Sequence, residues 1–392
     1  GLQLDAPVHV AAGYRGGVVV AGEFRQVNGQ VGDLAWFDGS TWSAIDLDLV
    51  GPPFPFIMPF RTVETLAVDG DDLYVGGANL QTSSVESSQV VRYDGSTVTS
   101  LGSLTDVHDL VLFEGDLIAA GSFFRLTGLP GGDLVGPIAR WNESAWSAML
   151  PGDEYGIAHT FVHDGGLHTL GYFSGLGLAG LSRWTGVSWQ QVMPPPSFYS
   201  SPNHATHFDG HWYITGTRRV DGDDEVGGIA RWTGAAWEGL DGGTRLVESY
   251  PYATNFGRPD VYGNALVVPG RFATMGGMQV GNLAAWSADD HWLTDGASHL
   301  IRTAVEFDGT VVVGGDFVSI GGVDASGIAR WNGAAFEELA GGVEGRVYAA
   351  TVYQGDLIVF TTCELQIIDG LAVDIEHCCG GTILRSHVGD GS

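Results

Sequence analysis

The feature that most constrains this chain is an internal repeat. A short apolar segment, usually closing on glycine, recurs eight times: VVVAGEF (18–24), LYVGGAN (73–79), LIAAGSF (117–123), LHTLGYF (167–173), WYITGTR (212–218), LVVPGRF (266–272), VVVGGDF (311–317) and LIVFTTC (357–363). Successive copies start 55, 44, 50, 45, 54, 45 and 46 residues apart. After a polar turn, seven copies continue into an aromatic motif: LAWFDGSTW (34–42), VVRYDGSTV (90–98), IARWNESAW (138–146), LSRWTGVSW (181–189), IARWTGAAW (229–237), LAAWSADDHW (283–292) and IARWNGAAF (328–336). In the eighth copy QIIDGLAV (366–373) holds that place with its aromatics lost.

Each unit is β in character. Apolar segments such as HDLVLFEG (108–115) and RTAVEFDG (302–309) precede the repeat and end in an acidic residue followed by glycine. Asp-Gly and Asn-Gly between β-rich runs signal hairpins, because both residues tolerate φ > 0. No stretch carries a sustained helical period. A unit therefore holds four short strands, a to d. Eight such units predict an all-β fold, a single eight-bladed β-propeller of four-stranded antiparallel blades. Residues 1–392 form one domain in this reading, each blade burying its faces on its neighbours. GGTILRSHV (380–388) is similar to GGVEGRVYA (341–349), so 382–392 is expected as a seam strand or an overhang into a ninth unit. LQL (2–4) is a second seam candidate.

Composition narrows the function classes. Gly supplies 61 of 392 residues, about twice the usual share, as a turn-rich fold requires. Against 46 Asp and Glu stand 17 basic residues, all Arg, for a net charge of −29. That balance argues against nucleic acid, whose phosphates need clustered cations. The absence of Lys excludes Schiff-base chemistry. No 18-residue apolar run is present, so no membrane span is expected. No signal peptide is evident, and a start at Gly1 suits a mature or trimmed chain. Cys363, Cys378 and Cys379 are disulfide candidates in an oxidising compartment, or else small buried hydrophobes. Their spacing is not that of a zinc site, and no metal or other cofactor is expected. Calcium is the alternative at DGDDEVGG (221–228), which has the composition of a calcium loop but lacks the spacing and terminal Glu of an EF-hand, and DGDD (69–72) is a weaker candidate.

A glycine pair after an apolar strand, an aromatic on strand c and a Trp shortly after it resemble the kelch-type propeller repeat. The pattern GGxFxxxGG…IARWNG…W is also similar to repeat arrays of secreted bacterial proteins and of Rax2-like fungal cortical ectodomains. The resemblance spans essentially the whole chain. It departs from kelch in spacing, with an offset of five from Trp331 to Phe336 and of six from Trp36 to Trp42. It implies a fold and leaves function open, because propellers host enzymes, lectins and scaffolds alike.

Side chains that recur at one repeat position are read as scaffold. Ten of the twelve Trp fall in the c–d motif and are expected in the core between blades, not as sugar platforms. Arg92, Arg140, Arg183, Arg231 and Arg330 precede the motif aromatic, and are expected to fork onto a carboxylate such as Glu23 or Asp316 between blades.

Candidate functional residues are those where the repeat is constant and the identity is not. One position at the start of strand a reads His9, Glu64, His108, Ala158, Asn203, Gly257, Arg302 and Tyr348. The next reads Val10, Thr65, Asp109, His159, His204, Arg258, Thr303 and Ala349. Inner strands surround a propeller axis, so His9, Glu64, His108, Asp109, His159, Asn203, His204, Arg258, Arg302 and Tyr348 form the ligand-binding set at a channel mouth. The long d–a connectors add partner-contact aromatics: Phe54, Phe56 and Phe60; Phe198 and Tyr199; Tyr250 and Tyr252. Loops on a rigid scaffold commonly carry binding function.

The expected function is a secreted or cell-surface, non-catalytic scaffold engaging a protein or glycan through this face. No nucleophile elbow, zincin helix or P-loop motif occurs. One alternative is a lyase-like polysaccharide-degrading enzyme, with Tyr348, His9 or His108 abstracting a proton and Arg302 neutralising a uronate. Another is a self-assembling subunit of an extracellular structure or adhesin.

Overall fold

The computed structural model describes residues 2–6, 8–50, 62–78, 80–82, 90–102, 104, 106–122, 136–149, 157–173, 178–194, 204–217, 228–240, 244–245, 259–262, 265–269, 274–275, 278–279, 283–288, 297–299, 301–333, 335–339, 341–343, 345–353, 355–361, 367–369, 372–374 and 381–385. Among these residues every regular element is a strand. Two compact units result, one of residues 4–195 and one of residues 196–392 together with 1–3.

The unit of residues 4–195 contains four antiparallel blades, each with its strands in order a-b-c-d. Blade 1 is Val8–Tyr14, Gly17–Gly22, Leu34–Phe37 and Trp42–Ile45. Blade 2 is Thr62–Asp69, Asp72–Ala78, Val90–Tyr93 and Val98–Ser100. Blade 3 is Val107–Phe113, Asp116–Gly121, Ile138–Trp141 and Trp146–Ala148. Blade 4 is Ile157–His163, Gly166–Phe173, Leu178–Trp184 and Trp189–Met193.

The other unit continues the series. Blade 5 is His204–Phe208, His211–Thr217, Gly228–Trp232 and Trp237–Gly239. Blade 6 shows strands Asp260–Tyr262, Ala265–Pro269 and Leu283–Ser287. Blade 7 is Ile301–Phe307, Thr310–Gly315, Ile328–Trp331 and Phe336–Glu338. The fold is thus an all-β propeller with seven blades among the described residues, and not the expected eight.

The eighth repeat departs from the blade pattern. Its strands Val347–Tyr353 and Asp356–Thr361 pair as a and b, but the strand beside b is Gly381–Arg385. Ile367–Asp369 then pairs in parallel with Gly381–Arg385, and Ala372–Asp374 closes a five-stranded mixed sheet. The GTILR stretch therefore completes the eighth sheet, where a seam or a ninth unit was expected, and QIIDGLAV is displaced outward. At the other end, Leu4 forms an isolated bridge with Val27 within blade 1's own b–c connection.

Turn chemistry explains why these hairpins close. Both central residues of the a–b turns have positive φ at Arg15-Gly16, Glu114-Gly115, Asp164-Gly165, Asp209-Gly210 and Asp308-Gly309, as a two-residue primed turn requires. The c–d turns work differently. In blades 4 and 5 the Thr185 and Thr233 hydroxyls accept the N–H groups of Ser188 and Ala236, and in blades 1 to 3 an Asp or Asn side chain accepts backbone N–H groups: Asp38 from Ser40 and Thr41, Asp94 from Ser96 and Thr97, Asn142 from Ser144 and Ala145. Here the Asx side chain holds the turn, and only the residue after it takes positive φ.

The core sits between successive blades. One buried cluster joins Val19 and Leu34 of blade 1 to Val63, Val75 and Val91 of blade 2. Another joins Val90 and Leu101 of blade 2 to Leu110, Leu117 and Trp146 of blade 3. The motif aromatics carry this packing, with Trp146, Trp189, Trp237, Trp286, Trp331 and Phe336 all buried. Trp146 Nε1 donates to the carbonyl of Leu101 at 2.7 Å, and Trp189 Nε1 to that of Met149 at 3.1 Å. Each indole thereby links its blade to the end of the preceding one.

Among the described residues four of the five periodic arginines pair inside their own blades, where a fork between blades was expected. Arg92 meets Asp72 at 2.7 Å, Arg231 meets Glu238 at 3.1 Å and Arg330 meets Glu337 at 2.7 Å, while Arg140 pairs with Asp116. Register is the reason: Arg231 and Arg330 lie directly opposite Glu238 and Glu337 on strand d, the separation at which cross-strand charges meet.

Candidate functional site

Strand a carries a β-bulge at the same place in six blades or repeats. Pairing with strand b shifts between Val8 and Val10, Val63 and Thr65, Val107 and Asp109, Ile157 and His159, Ile301 and Thr303, and Val347 and Ala349. The inserted residues are His9, Glu64, His108, Ala158, Arg302 and Tyr348. They are the variable position picked out by the repeat, and the bulge is its physical meaning. An inserted residue stands outside the ladder, and bulges commonly re-aim a side chain beside a site. The glycine closing strand b makes room for it. A Cβ on Gly77 would lie 2.0 Å from the carbonyl oxygen of Thr62, and one on Gly121 would lie 2.0 Å from that of Asp106.

The residue after the bulge has a different task. Thr65 Oγ1 accepts the N–H of Leu110 at 3.0 Å, Asp109 Oδ2 that of Thr160 at 2.8 Å, and Thr303 Oγ1 that of Ala350 at 3.2 Å. Each donor lies on strand a of the next blade or repeat. Asp109 is thus engaged in a clamp between blades 3 and 4. His159 is buried and stacks on Phe161 with ring centroids 4.7 Å apart, and Phe161 stacks on His168 at 5.6 Å. Burial holds the His168 imidazole below its ordinary pKa. His204 is half-buried on strand a of blade 5, opposite Thr215.

Two groups of bulge residues carry ionisable side chains. In the unit of residues 4–195, His9 Nε2 lies 3.2 Å from Glu23. Glu64 is half-buried on the next blade, and desolvation raises its carboxyl above the usual range. The His108 and His9 imidazoles oppose that rise and Asp106 adds to it, so Glu64 sits electrostatically among residues of both flanking blades. In the other unit, Arg302 forks onto Asp316 through Nε at 2.7 Å and Nη2 at 2.9 Å. Its guanidinium carbon lies 4.8 Å from the Tyr348 ring centroid. Arg346 approaches the same carboxylate at 3.9 Å. The Asp316 hydrogen bond is the main reason that Arg302 is held above its ordinary pKa.

Glu23 and Asp316 therefore serve the bulge residues His9 and Arg302, and not the strand-c arginines. The signal was present in the sequence: a cationic type at positions 9 and 302 is matched by an acid immediately after the strand-b glycine, at 23 and 316. Asp106, two residues before His108, was also missed. The site set divides between the units, with His9, Glu64, His108, Asp109 and His159 in one and His204, Arg302 and Tyr348 in the other. Asn203, Arg258, the aromatics Phe54, Phe56, Phe60, Phe198, Tyr199, Tyr250 and Tyr252, all three cysteines and residues 221–227 lie outside the described residues. Among the described residues no group of three or more His, Cys, Asp or Glu is placed to hold a metal ion, and no helix is long and apolar enough to cross a membrane.

No protein-family model matches the chain, and no curated protein matches it. Among solved structures the chain is similar to the computationally designed Ika8 protein, at 12% identity over 91% of this chain and 95% of that one, with a TM-score of 0.54. It is also similar to the WD40 β-propeller domain of Doa1, at 11% identity over 92% and 93%, TM-score 0.41. A third similar structure is YCF48 bound to a D1 peptide, at 12% identity over 84% and 92%, TM-score 0.44. These are likenesses of fold.

Proposed function

We propose that the chain is a kelch-like, non-catalytic binding propeller of the cell surface or exterior, engaging a protein or glycan through side chains carried on the strand-a bulges. The observation that carries this reading is the recurrence of one bulge in six strands, which between them present five different residue types. A scaffold position would repeat its residue, as the motif Trp and the strand-b Gly do. The excess of acidic residues keeps such a surface solvated in a salty exterior. The lyase reading draws on His9, His108, Arg302 and Tyr348. The fork from Arg302 to Asp316 already engages Nε and one Nη, which favours binding over neutralisation of a uronate.

The test is a glycan array together with a panel of soluble peptides, applied to wild type and to two variants. One removes His108 and Glu64, the other Arg302 and Tyr348, all to Ala. Binding present in wild type and lost in either variant supports the reading, provided that circular dichroism and Tm show the variant folded. Ligands that bind all three proteins equally would overturn it, and turnover of any glycan would replace it with the enzymatic alternative.

A further inference from the structure

Resting on that binding reading, we infer that the Glu64 bulge takes a protonated amine or guanidinium, such as the side chain of a Lys or Arg residue in a partner. The inference comes from comparing one repeat position across blades. In blade 7 the bulge carries the cation Arg302, and the residue after the strand-b glycine is its counter-ion, Asp316. In blade 1 the same two positions hold His9 and Glu23, 3.2 Å apart. In blade 2 the bulge holds the anion Glu64, and the strand-b position is Ala78. Blade 2 thus has one half of a pair that blades 1 and 7 complete within the chain.

Among the described residues no arginine acts on Glu64. Glu64 makes no hydrogen bond or ion pair with any other described residue. The neighbours that act on it electrostatically are the His108 and His9 imidazoles and the Asp106 carboxylate. His9 is already held by Glu23. The neighbourhood therefore brings three carboxylates, Glu23, Glu64 and Asp106, together with two imidazoles. Glu64 is half-buried, so a cation docking on it is attracted through a medium less screening than water. Blade 7 shows the scale of ligand that fits this geometry, since a guanidinium rests between the strand-b carboxylate and the Tyr348 ring. A chain of net charge −29 also draws cationic partners over distance.

The experiment titrates the full chain with acetylated, amidated tripeptides Gly-X-Gly in which X is Arg, Lys, Gln or Glu, followed by calorimetry and by amide shifts. The Arg and Lys peptides are expected to bind, and the Gln and Glu peptides are not. Glu64→Gln should weaken the basic peptides about ten-fold, equivalent to ~1.4 kcal/mol. Added salt should weaken them as well. A second variant, Ala78→Arg, leaves Glu64 in place but supplies an internal counter-ion, and should block binding to a similar degree while the protein stays folded. If the Arg peptide binds both variants as it binds wild type, the cation site is refuted. Should a different ligand bind and depend on Arg302 and Tyr348, the binding reading survives that refutation. If no probe depends on any bulge residue, both readings fall.

Discussion

Asp109 separates a clamp from a ligand contact, and substituting it decides between them. Its Oδ2 accepts the main-chain N–H of Thr160 at 2.8 Å, and Thr160 is 2% exposed. Asp109→Ala leaves that N–H buried with no acceptor, which costs about 1–3 kcal/mol. For a cooperative unit of roughly 150–250 residues each kcal/mol lowers Tm by about 2–4 °C, so a fall of ~2–12 °C is expected. The repeat supplies its own rescue. Thr65 and Thr303 perform the same task with a hydroxyl at 3.0 and 3.2 Å. Asp109→Thr should therefore recover most of the loss, as should Asp109→Asn, which keeps an acceptor oxygen. Calorimetry reads the global effect, and amide hydrogen exchange at Thr160 reads the local one. Protection there should drop in the Ala variant and return in the Thr variant. An Ala variant with unchanged Tm and unchanged Thr160 exchange would refute the clamp and return Asp109 to the ligand set.

Three further outcomes follow from the same geometry. Trp146→Phe removes the donor to Leu101 and shrinks a buried side chain, so denaturant unfolding should show a loss of about 2 kcal/mol, with peptide and glycan binding unchanged. Asp38 and Asp94 are held below the usual carboxylate range, chiefly by the Thr41 and Thr97 N–H groups and the Ser40 and Ser96 hydroxyls. Their contribution is complete above the ordinary carboxylate pKa and is lost as pH falls through the lowered folded values. Asp38→Asn with Asp94→Asn should flatten acid unfolding over that window, since Asn142 and Asn332 cap sister turns without titrating. Burial raises Glu64, which reverses the sign: stability falls as pH rises from the ordinary carboxylate value through the raised one. Glu64→Gln should therefore raise Tm at neutral pH and leave it little changed at a pH where wild-type Glu64 is already protonated.

Seven blades were legible in the sequence because their determinants are local. Most a–b turns declare themselves by an acidic residue followed by Gly, most c–d turns by Asp, Asn or Thr followed by Gly, and strand b by its closing glycine. What escaped depended on pairing between distant segments. In the eighth repeat QIIDGLAV has no aromatic to fix it on a neighbour, so GTILR takes the place beside strand b, and composition alone does not rank these two apolar stretches. The arginine partners escaped for a related reason. Arg330 had several carboxylates within plausible reach along the chain, and only the register Arg330↔Glu337 selects one. The variable position was visible as a break in the repeat, but the bulge that explains it exists only in the a–b register.

That bulge divides labour within a few residues of chain. The flanking positions are constrained, since Gly77 and Gly121 must admit the carbonyls of Thr62 and Asp106, and Thr65, Asp109 and Thr303 must reach the next strand a. The inserted residue meets no such demand. Ala158 proves the point inside the molecule: blade 4 makes the same register shift around a methyl group as blade 2 makes around Glu64. Packing therefore does not ask for a carboxylate at position 64. Burial opposes its ionisation, so Glu64→Gln is expected to leave the blade at least as stable. A carboxylate that packing does not require is the ground on which we propose an external cation for Glu64.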